Sequence, residues 1–169
     1  MKYKHLFTSK KETLNDIIRV NHAGELGAKY IYMGQLKALP QDKEILNMLE
    51  GELKHLEFFE NEIKDNGYTP SIINPIWKKC AFLMGYLSAK HSREMAMLCT
   101  HQVEDVIERH YQSQIDILEE GDLKNTLIKF RQEEIEHLEI GIKEGKYSPK
   151  LALIFTFITK FGIFFSSKL

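Results

Sequence analysis

Apolar residues recur every three or four positions along most of this chain, which is the spacing of one face of an α-helix. No segment alternates between apolar and polar residues over a useful length, so strands are not expected. Glycine and proline are sparse and fall mainly between the periodic segments. The pattern predicts an all-α protein, with helices over residues 12–39, 41–65, 75–90, 92–119, 122–144 and 149–166.

Capping and helix-breaking residues set the expected ends of these helices. Thr13 or Asn15 is expected to cap the first helix, and Pro40 ends it. Gly121 is expected to stop the fourth helix, and Asp122 to cap the fifth.

Charged residues interrupt the apolar faces of four of these helices. A lone glutamate is followed about 30 residues later by a Glu-x-x-His pair, and the same order then occurs a second time. Residues three positions apart lie on one face of a helix, one turn apart, so both members of a pair can reach one ion. The six candidate metal ligands are Glu25, Glu52, His55, Glu104, Glu134 and His137.

A carboxylate within an apolar face points into the core, where an isolated negative charge is costly. Four glutamates and two histidines that converge there need compensating charge, which two divalent cations supply. Oxygen and imidazole ligands suit iron or manganese, and four-helix bundles with a carboxylate-bridged di-metal site use this set of ligands. Glu-x-x-His pairs are also common by chance, so solvated helix faces and core histidines paired with acids are the alternative.

Metal-bound carboxylates and imidazoles usually form further hydrogen bonds with neighbouring side chains. Tyr32, Tyr111 and His110 lie on the predicted helices and are candidates for such bonds. Tyr111 follows Glu104 by two turns on the same face, so it is expected near the site, with an ordinary core tyrosine as the alternative. Tyr111 and His110 are the candidate catalytic residues.

The third and sixth predicted helices are more apolar than the other four. Residues 151–165 form an apolar run that contains one lysine, Lys160. The run is shorter than the roughly 20 residues that a regular membrane-spanning helix needs, so no spanning helix is expected. Because four helices already fill the core of a bundle, these two are expected to contact a membrane or to line a channel for an apolar ligand, with an ordinary core helix as the alternative.

Composition narrows the class of protein further. A length of 169 residues suits one domain over residues 1–169, with a bundle over 12–145 and an apolar helix over 149–166. The formal net charge of −1 and the lack of a basic stripe argue against a nucleic-acid partner. Cys80 and Cys99 are expected to be reduced, buried thiols. The first residues lack an apolar signal segment, so the chain is expected to stay where it is made.

Several runs of sequence resemble the demethoxyubiquinone hydroxylase family. The resemblance covers essentially the whole bundle, about residues 12–145, and the first and last runs are the most specific for that family. Asn21 stands where the family often has aspartate. The matching runs are Arg19-Val-Asn-His-Ala-Gly-Glu25-Leu-Gly-Ala, Glu52-Leu-Lys-His55, Val103-Glu104, His110-Tyr111 and Phe130-Arg-Gln-Glu-Glu134-Ile-Glu-His137.

The resemblance implies a ferritin-like four-helix bundle with two additional apolar helices, which hydroxylates the ring of a demethoxyubiquinol in ubiquinone biosynthesis. It implies two iron ions, Fe2+ or Fe3+, with O2 as co-substrate and NADH or the reduced quinone as electron source. One iron would bind Glu25 and His55, and the other Glu104 and His137. Glu52 and Glu134 would bridge the two ions.

The polyprenyl tail of such a substrate stays in the bilayer, so the resemblance implies a peripheral membrane protein. The expected location is the cytoplasmic face of a bacterial inner membrane. The expected partners are membrane lipid, the polyprenyl quinol, and either a second copy of the chain or other proteins of ubiquinone biosynthesis. Three alternative functions remain: a ferritin-like iron-storage or ferroxidase protein, a metal-free helical interaction module and a peroxide-scavenging di-manganese protein.

Overall fold

The computed structural model describes residues 10–168, with side chains from residue 14 onward. Within these residues the chain is all-α, with six helices and no strand, as the apolar periodicity predicts. The ends of the predicted domain, residues 1–9 and residue 169, lie outside this description. The helices are α1 (Lys10–Ala38), α2 (Lys43–Asn66), α3 (Asn74–His91), α4 (Arg93–Ile115), α5 (Asp122–Glu144) and α6 (Pro149–Ser166).

Two helical hairpins, α1–α2 and α4–α5, form the bundle, and they meet where α1 approaches α4 and α2 approaches α5. The helix α3 packs against α1 and α4, and α6 packs against α4, α1 and α3. Both apolar helices therefore cover the α1/α4 side of the bundle. The opposite side, where α2 and α5 face each other, is covered by neither.

Several of the expected helix ends differ from those observed. The helix α1 already begins at Lys10, so Asn15 lies inside it and does not cap it. The Asn15 side chain instead accepts a hydrogen bond from the backbone N–H of Thr69, at 2.9 Å. The expected cap Thr13 lies outside the described side chains. The helix α5 has Gly121 at its N-cap and Asp122 as its first residue.

The helix α4 ends at Ile115, four residues before the expected end. The backbone N–H groups of Ile117 and Leu118 both bond to the carbonyl of Gln114, which tightens the last turn. Leu118 is partly buried and packs against the core there. Leu118 therefore packs against the core from beyond the end of α4, whereas the position of Gly121 predicted that Leu118 would lie inside this helix.

Arg93 joins three elements at one end of the bundle. It donates hydrogen bonds to Asp42 before α2, to Glu44 at the start of α2 and to Glu144 at the end of α5. Asp42 also caps α2, because its side chain accepts from the N–H groups of Glu44 and Ile45 at 3.1 Å each. Burial alone would raise the pKa of Asp42, but these hydrogen bonds, led by that of Arg93, lower it.

An open apolar groove with a volume of about 850 Å³ lies between α3 and α6. Large apolar side chains along it face outward, including Leu87 at 60% and Phe157 at 66% exposure. Cys80 lines the groove and is exposed, whereas Cys99 is buried. Both thiols are free, as expected, but the expectation that both are buried is wrong for Cys80.

Among the described residues, α6 is the one helix long and apolar enough to cross a membrane by length and composition. The core helix of a soluble protein meets the same criterion. A regular membrane-spanning helix needs about 20 apolar residues, and α6 has 18 residues. Its contacts with α4 and α1 place one face of this helix against the bundle.

Candidate metal centre

The bundle brings together all six residues that the sequence singled out. They come from four helices and form two overlapping groups, in each of which the potential ligand atoms lie within 4.8 Å of one another. Glu52 and Glu134 belong to both groups, the arrangement expected of bridging ligands. The first group is Glu25, Glu52, His55 and Glu134, and the second is Glu52, Glu104, Glu134 and His137.

The facing atoms of this cluster are buried and lack hydrogen-bond partners within residues 10–168. The nearest approaches join His55 Nδ1 to Glu134 Oε1, at 3.0 Å, and His137 Nδ1 to Glu52 Oε1, at 3.1 Å. Buried polar atoms without hydrogen-bond partners are rare in folded proteins, and a cluster of them on carboxylates and imidazoles fits the donor set of a metal site. These atoms are Glu25 Oε2, both oxygens of Glu52, Glu104 Oε2, both oxygens of Glu134, His55 Nδ1 and His137 Nδ1.

Burial and the interactions among the carboxylates and imidazoles set the pKa values within the cluster. Burial, followed by repulsion from Glu134, raises the pKa of Glu52 and of Glu104 well above the ordinary carboxyl value. Burial acts to lower the pKa of His55 and of His137, but the carboxylates around them outweigh it and raise both pKa values. The cluster therefore holds protons that divalent cations would displace.

Two tyrosines cross between the hairpins to hold the outer carboxylates. Tyr32 on α1 donates to Glu104 Oε1 on α4, at 2.5 Å, and Tyr111 on α4 donates to Glu25 Oε1 on α1. Each tyrosine follows the glutamate of its own helix by seven residues and bonds to the glutamate of the other. In both glutamates the second oxygen, Oε2, is the unpartnered one.

Sequence reasoning missed Glu133, which takes part in the site from outside the cluster. Its Oε2 lies 2.8 Å from His55 Nε2, the ring nitrogen that faces away from the other carboxylates. Its side chain is 34% exposed. The only signal was its position beside Glu134 in the last matching run, and that position turns it about 100° away from the ligand face.

His110, one of the two candidate catalytic residues, contacts Gln114. Its Nε2 lies 2.9 Å from Gln114 Nε2, and Gln114 exchanges two hydrogen bonds of 2.9 Å with Asn21. Burial lowers the pKa of His110 to about 4. Among the described residues no contact joins His110 to the carboxylate cluster, and a catalytic role for His110 or Tyr111 stays a prediction.

The donor set fits a pair of divalent cations. Four carboxylates offer four negative charges, which two divalent ions balance in a core that could not hold those charges alone. The two histidines would present neutral nitrogen ligands to the same space once a cation has displaced the proton from each ring. The structure thus favours a di-metal site over solvated helix faces, since Glu25, Glu52 and Glu104 are 1% exposed or less.

Comparison with known proteins shows the family to which this chain belongs. The profile of the family described as ubiquinone biosynthesis protein COQ7 matches residues 12–163. A Dictyostelium discoideum protein named NADPH-dependent 3-demethoxyubiquinone 3-hydroxylase, mitochondrial, is 39% identical over 161 residues, covering 90% of this chain and 74% of that protein.

Two further relatives come from distant organisms. The Saccharomyces cerevisiae 5-demethoxyubiquinone hydroxylase, mitochondrial, is 36% identical over 181 residues, covering 94% of this chain and 76% of its own. The Rhodospirillum rubrum 3-demethoxyubiquinol 3-hydroxylase is 36% identical over 138 residues, covering 78% of this chain and 65% of its own. The chain therefore belongs to the COQ7 family of ubiquinone biosynthesis proteins and is, like these relatives, an oxidoreductase of the hydroxylase type.

Proposed function

We propose that this protein hydroxylates the ring of demethoxyubiquinol in an O2-dependent reaction at a carboxylate-bridged pair of iron ions. The observation that supports this most strongly is the buried cluster of four glutamates and two histidines, whose facing atoms lack hydrogen-bond partners. The names of the relatives supply the reaction and the substrate class.

In this proposal each group of ligands holds one ion. Glu25 and His55 would hold one ion and Glu104 and His137 the other, while Glu52 and Glu134, which belong to both groups of ligands, would be shared. Bound iron would supply the activation of O2, which no amino-acid side chain can perform alone.

The protein's own residues orient the ligands and keep water out. By bonding to Oε1 of Glu104 and of Glu25, Tyr32 and Tyr111 restrain each carboxylate and leave its Oε2 toward the cluster. Both tyrosines are fully or almost fully buried, at 0% and 1% exposure. Burial raises the pKa of each well above its ordinary value, so both phenols stay protonated and remain donors.

The reaction needs two electrons besides those of the substrate C–H bond. Insertion of one oxygen atom converts a ring C–H to C–OH, while two electrons and two protons reduce the other oxygen atom to water. We propose a nicotinamide nucleotide or the quinol itself as the electron source. The Dictyostelium relative is named as NADPH-dependent.

The groove between α3 and α6 is proposed to hold the polyprenyl tail at a membrane surface. Its lining is almost entirely apolar, and Lys150 and Lys160 on α6 would lie near anionic headgroups. Trp77 lines the groove, donates its indole N–H to the Ala23 carbonyl at 3.0 Å and packs on Gly27, two residues from Glu25. This part of the groove therefore contacts the segment of α1 that carries Glu25.

The proposed location is peripheral, on the cytoplasmic face of a bacterial inner membrane. The names of two of the relatives place them in mitochondria. A membrane surface suits both cases, because a long prenyl tail partitions into the bilayer wherever the enzyme is found.

The double substitution Leu153→Asp and Phe157→Asp on α6 should weaken binding to anionic liposomes by at least about 10-fold. These side chains are 70% and 66% exposed, and a carboxylate in place of each would have to enter the interfacial region. Co-sedimentation with liposomes measures the effect. The matched control is Ile142→Asp on α5, where the replaced side chain is 55% exposed on another helix. Equal binding of the double variant and the control would contradict a membrane role for α6.

The proposed function is tested by loading the protein with iron anaerobically and then adding O2, a nicotinamide reductant and demethoxyubiquinol. We expect the hydroxylated quinol to form with the iron-loaded protein and not with the metal-free protein. A large multi-subunit particle that accumulates oxidised iron without quinol turnover would instead establish the ferritin-like alternative.

A further inference from the structure

The two halves of the metal centre repeat the same arrangement of residues. In each half a glutamate on the first helix is followed seven residues later by a tyrosine, and the second helix supplies a Glu-x-x-His pair. The two halves differ in the residue that directly precedes each Glu-x-x-His pair. That position is Glu133 on α5 and Gly51 on α2.

Glu133 contacts the imidazole of His55 at the ring nitrogen that faces away from the other carboxylates. Its Oε2 lies 2.8 Å from Nε2, while Nδ1 of the same ring faces Glu134 at 3.0 Å. The other Glu133 oxygen, Oε1, lies 3.8 Å from Lys129 Nζ. The ring also stacks on Phe130, with 4.0 Å between centroids, and is fully buried.

His137 lacks the equivalent partner, because Gly51 occupies the equivalent position. A Cβ atom at Gly51 would lie 3.4 Å from His137 Cε1 and 3.5 Å from its Nε2, so a side chain there would point at the ring. Within the described part of the chain no hydrogen bond reaches His137 Nε2. The His137 side chain is 12% exposed, whereas that of His55 is 0% exposed.

We propose that Glu133 makes the metal position at His55 the tighter of the two, and that Gly51 leaves the position at His137 weaker and more readily exchanged. A carboxylate that accepts the Nε2–H holds the ring in the tautomer whose Nδ1 faces the metal, and it makes that nitrogen a better donor. Glu133 is therefore a positioning residue that acts through His55. The inference rests on the proposed di-metal site and adds an inequality between its two halves.

Titration of the metal-free protein with Co2+ under anaerobic conditions, followed by ligand-field absorption, tests this inequality. We expect two unequal binding steps in the unchanged protein. Glu133→Ala should weaken the tighter step by about 10- to 100-fold. The matched control Glu139→Ala removes an exposed carboxylate from the same helix and should leave both steps unchanged.

The reverse substitution probes the weaker half. Gly51→Glu places a carboxylate beside His137 and should tighten the weaker step, whereas Gly51→Ala adds only the Cβ and should not. In Zn2+-loaded protein the Nε2–H proton of His55 should give a downfield NMR signal that is lost in Glu133→Ala. A change of general packing would not remove that signal selectively.

Three results separate the possible failures. Two equal steps in the unchanged protein, or a tighter step that Glu133→Ala leaves intact, would overturn the proposed inequality while the metal site stands. No metal binding by the unchanged protein would overturn the di-metal function and the inequality with it.

Discussion

Replacing Glu52 by glutamine should remove both metal ions, whereas replacing Glu104 by glutamine should remove mainly one. Glu52 belongs to both ligand groups and Glu104 to only one of them. Loss of a shared carboxylate should weaken both positions by more than the roughly 100-fold that a supporting residue is worth. Metal analysis after anaerobic loading gives the stoichiometry, and quinol hydroxylation should fall in parallel.

The metal-free form of Glu52→Gln should be about as stable as the metal-free original. Burial and the neighbouring carboxylates raise the pKa of Glu52 well above its ordinary value, which favours the protonated form of this group in the metal-free protein. A neutral glutamine has nearly the same shape and charge as that protonated form. Thermal unfolding of both metal-free proteins provides the control. A Glu52→Gln protein that folds and still binds two ions would contradict the shared-ligand assignment.

Replacing Gly85 by alanine should destabilise the bundle on the order of 3 kcal/mol. A Cβ at Gly85 would lie 2.0 Å from the backbone oxygen of Ile31, and one at Gly34 would lie 2.2 Å from the backbone oxygen of Phe82. These contacts involve backbone atoms, so α1 and α3 must move apart to admit a methyl group. Because α1 also supplies Glu25 and Tyr32, metal affinity should fall together with stability.

Gly24→Ala is the matched control for this substitution. Gly24 also lies inside a helix, but nothing lies within 4 Å of a Cβ built there. Alanine is favoured over glycine in a helix interior by about 1 kcal/mol, so this variant should be as stable as the original or more stable. Urea unfolding of the metal-loaded proteins measures both variants. Equal stability of Gly85→Ala and Gly24→Ala would show that α1 and α3 are not in such close contact.

The helices were predictable because the chain repeats one signal many times. Apolar spacing over long segments with few glycines or prolines located all six helices, and the ends of α6 were those expected. The ends that failed depended on tertiary contacts. Asn15 bonds to Thr69, 54 positions away, and Leu118 packs on the core beyond the end of α4. Local capping preferences contain no information about such partners.

The six ligand candidates were predictable for a related reason, since a glutamate within an apolar stripe requires an explanation wherever it occurs. The residues that hold the ligands were harder to find. Glu133 joins α5 to α2 through His55, and Tyr111 joins α4 to α1 through Glu25. Such contacts depend on how each helix is rotated about its axis. Predicting them requires that rotation to an accuracy much finer than the 100° between successive residues.

The most direct test of the proposed function is the mass of the product formed under 18O2. Iron-loaded protein, demethoxyubiquinol and a nicotinamide reductant would be mixed in ordinary water and then exposed to the labelled gas. We expect the new ring hydroxyl to contain 18O, because one atom of O2 enters the ring and the other becomes water. A product that contains only 16O, or no product from protein with two bound irons, would contradict it.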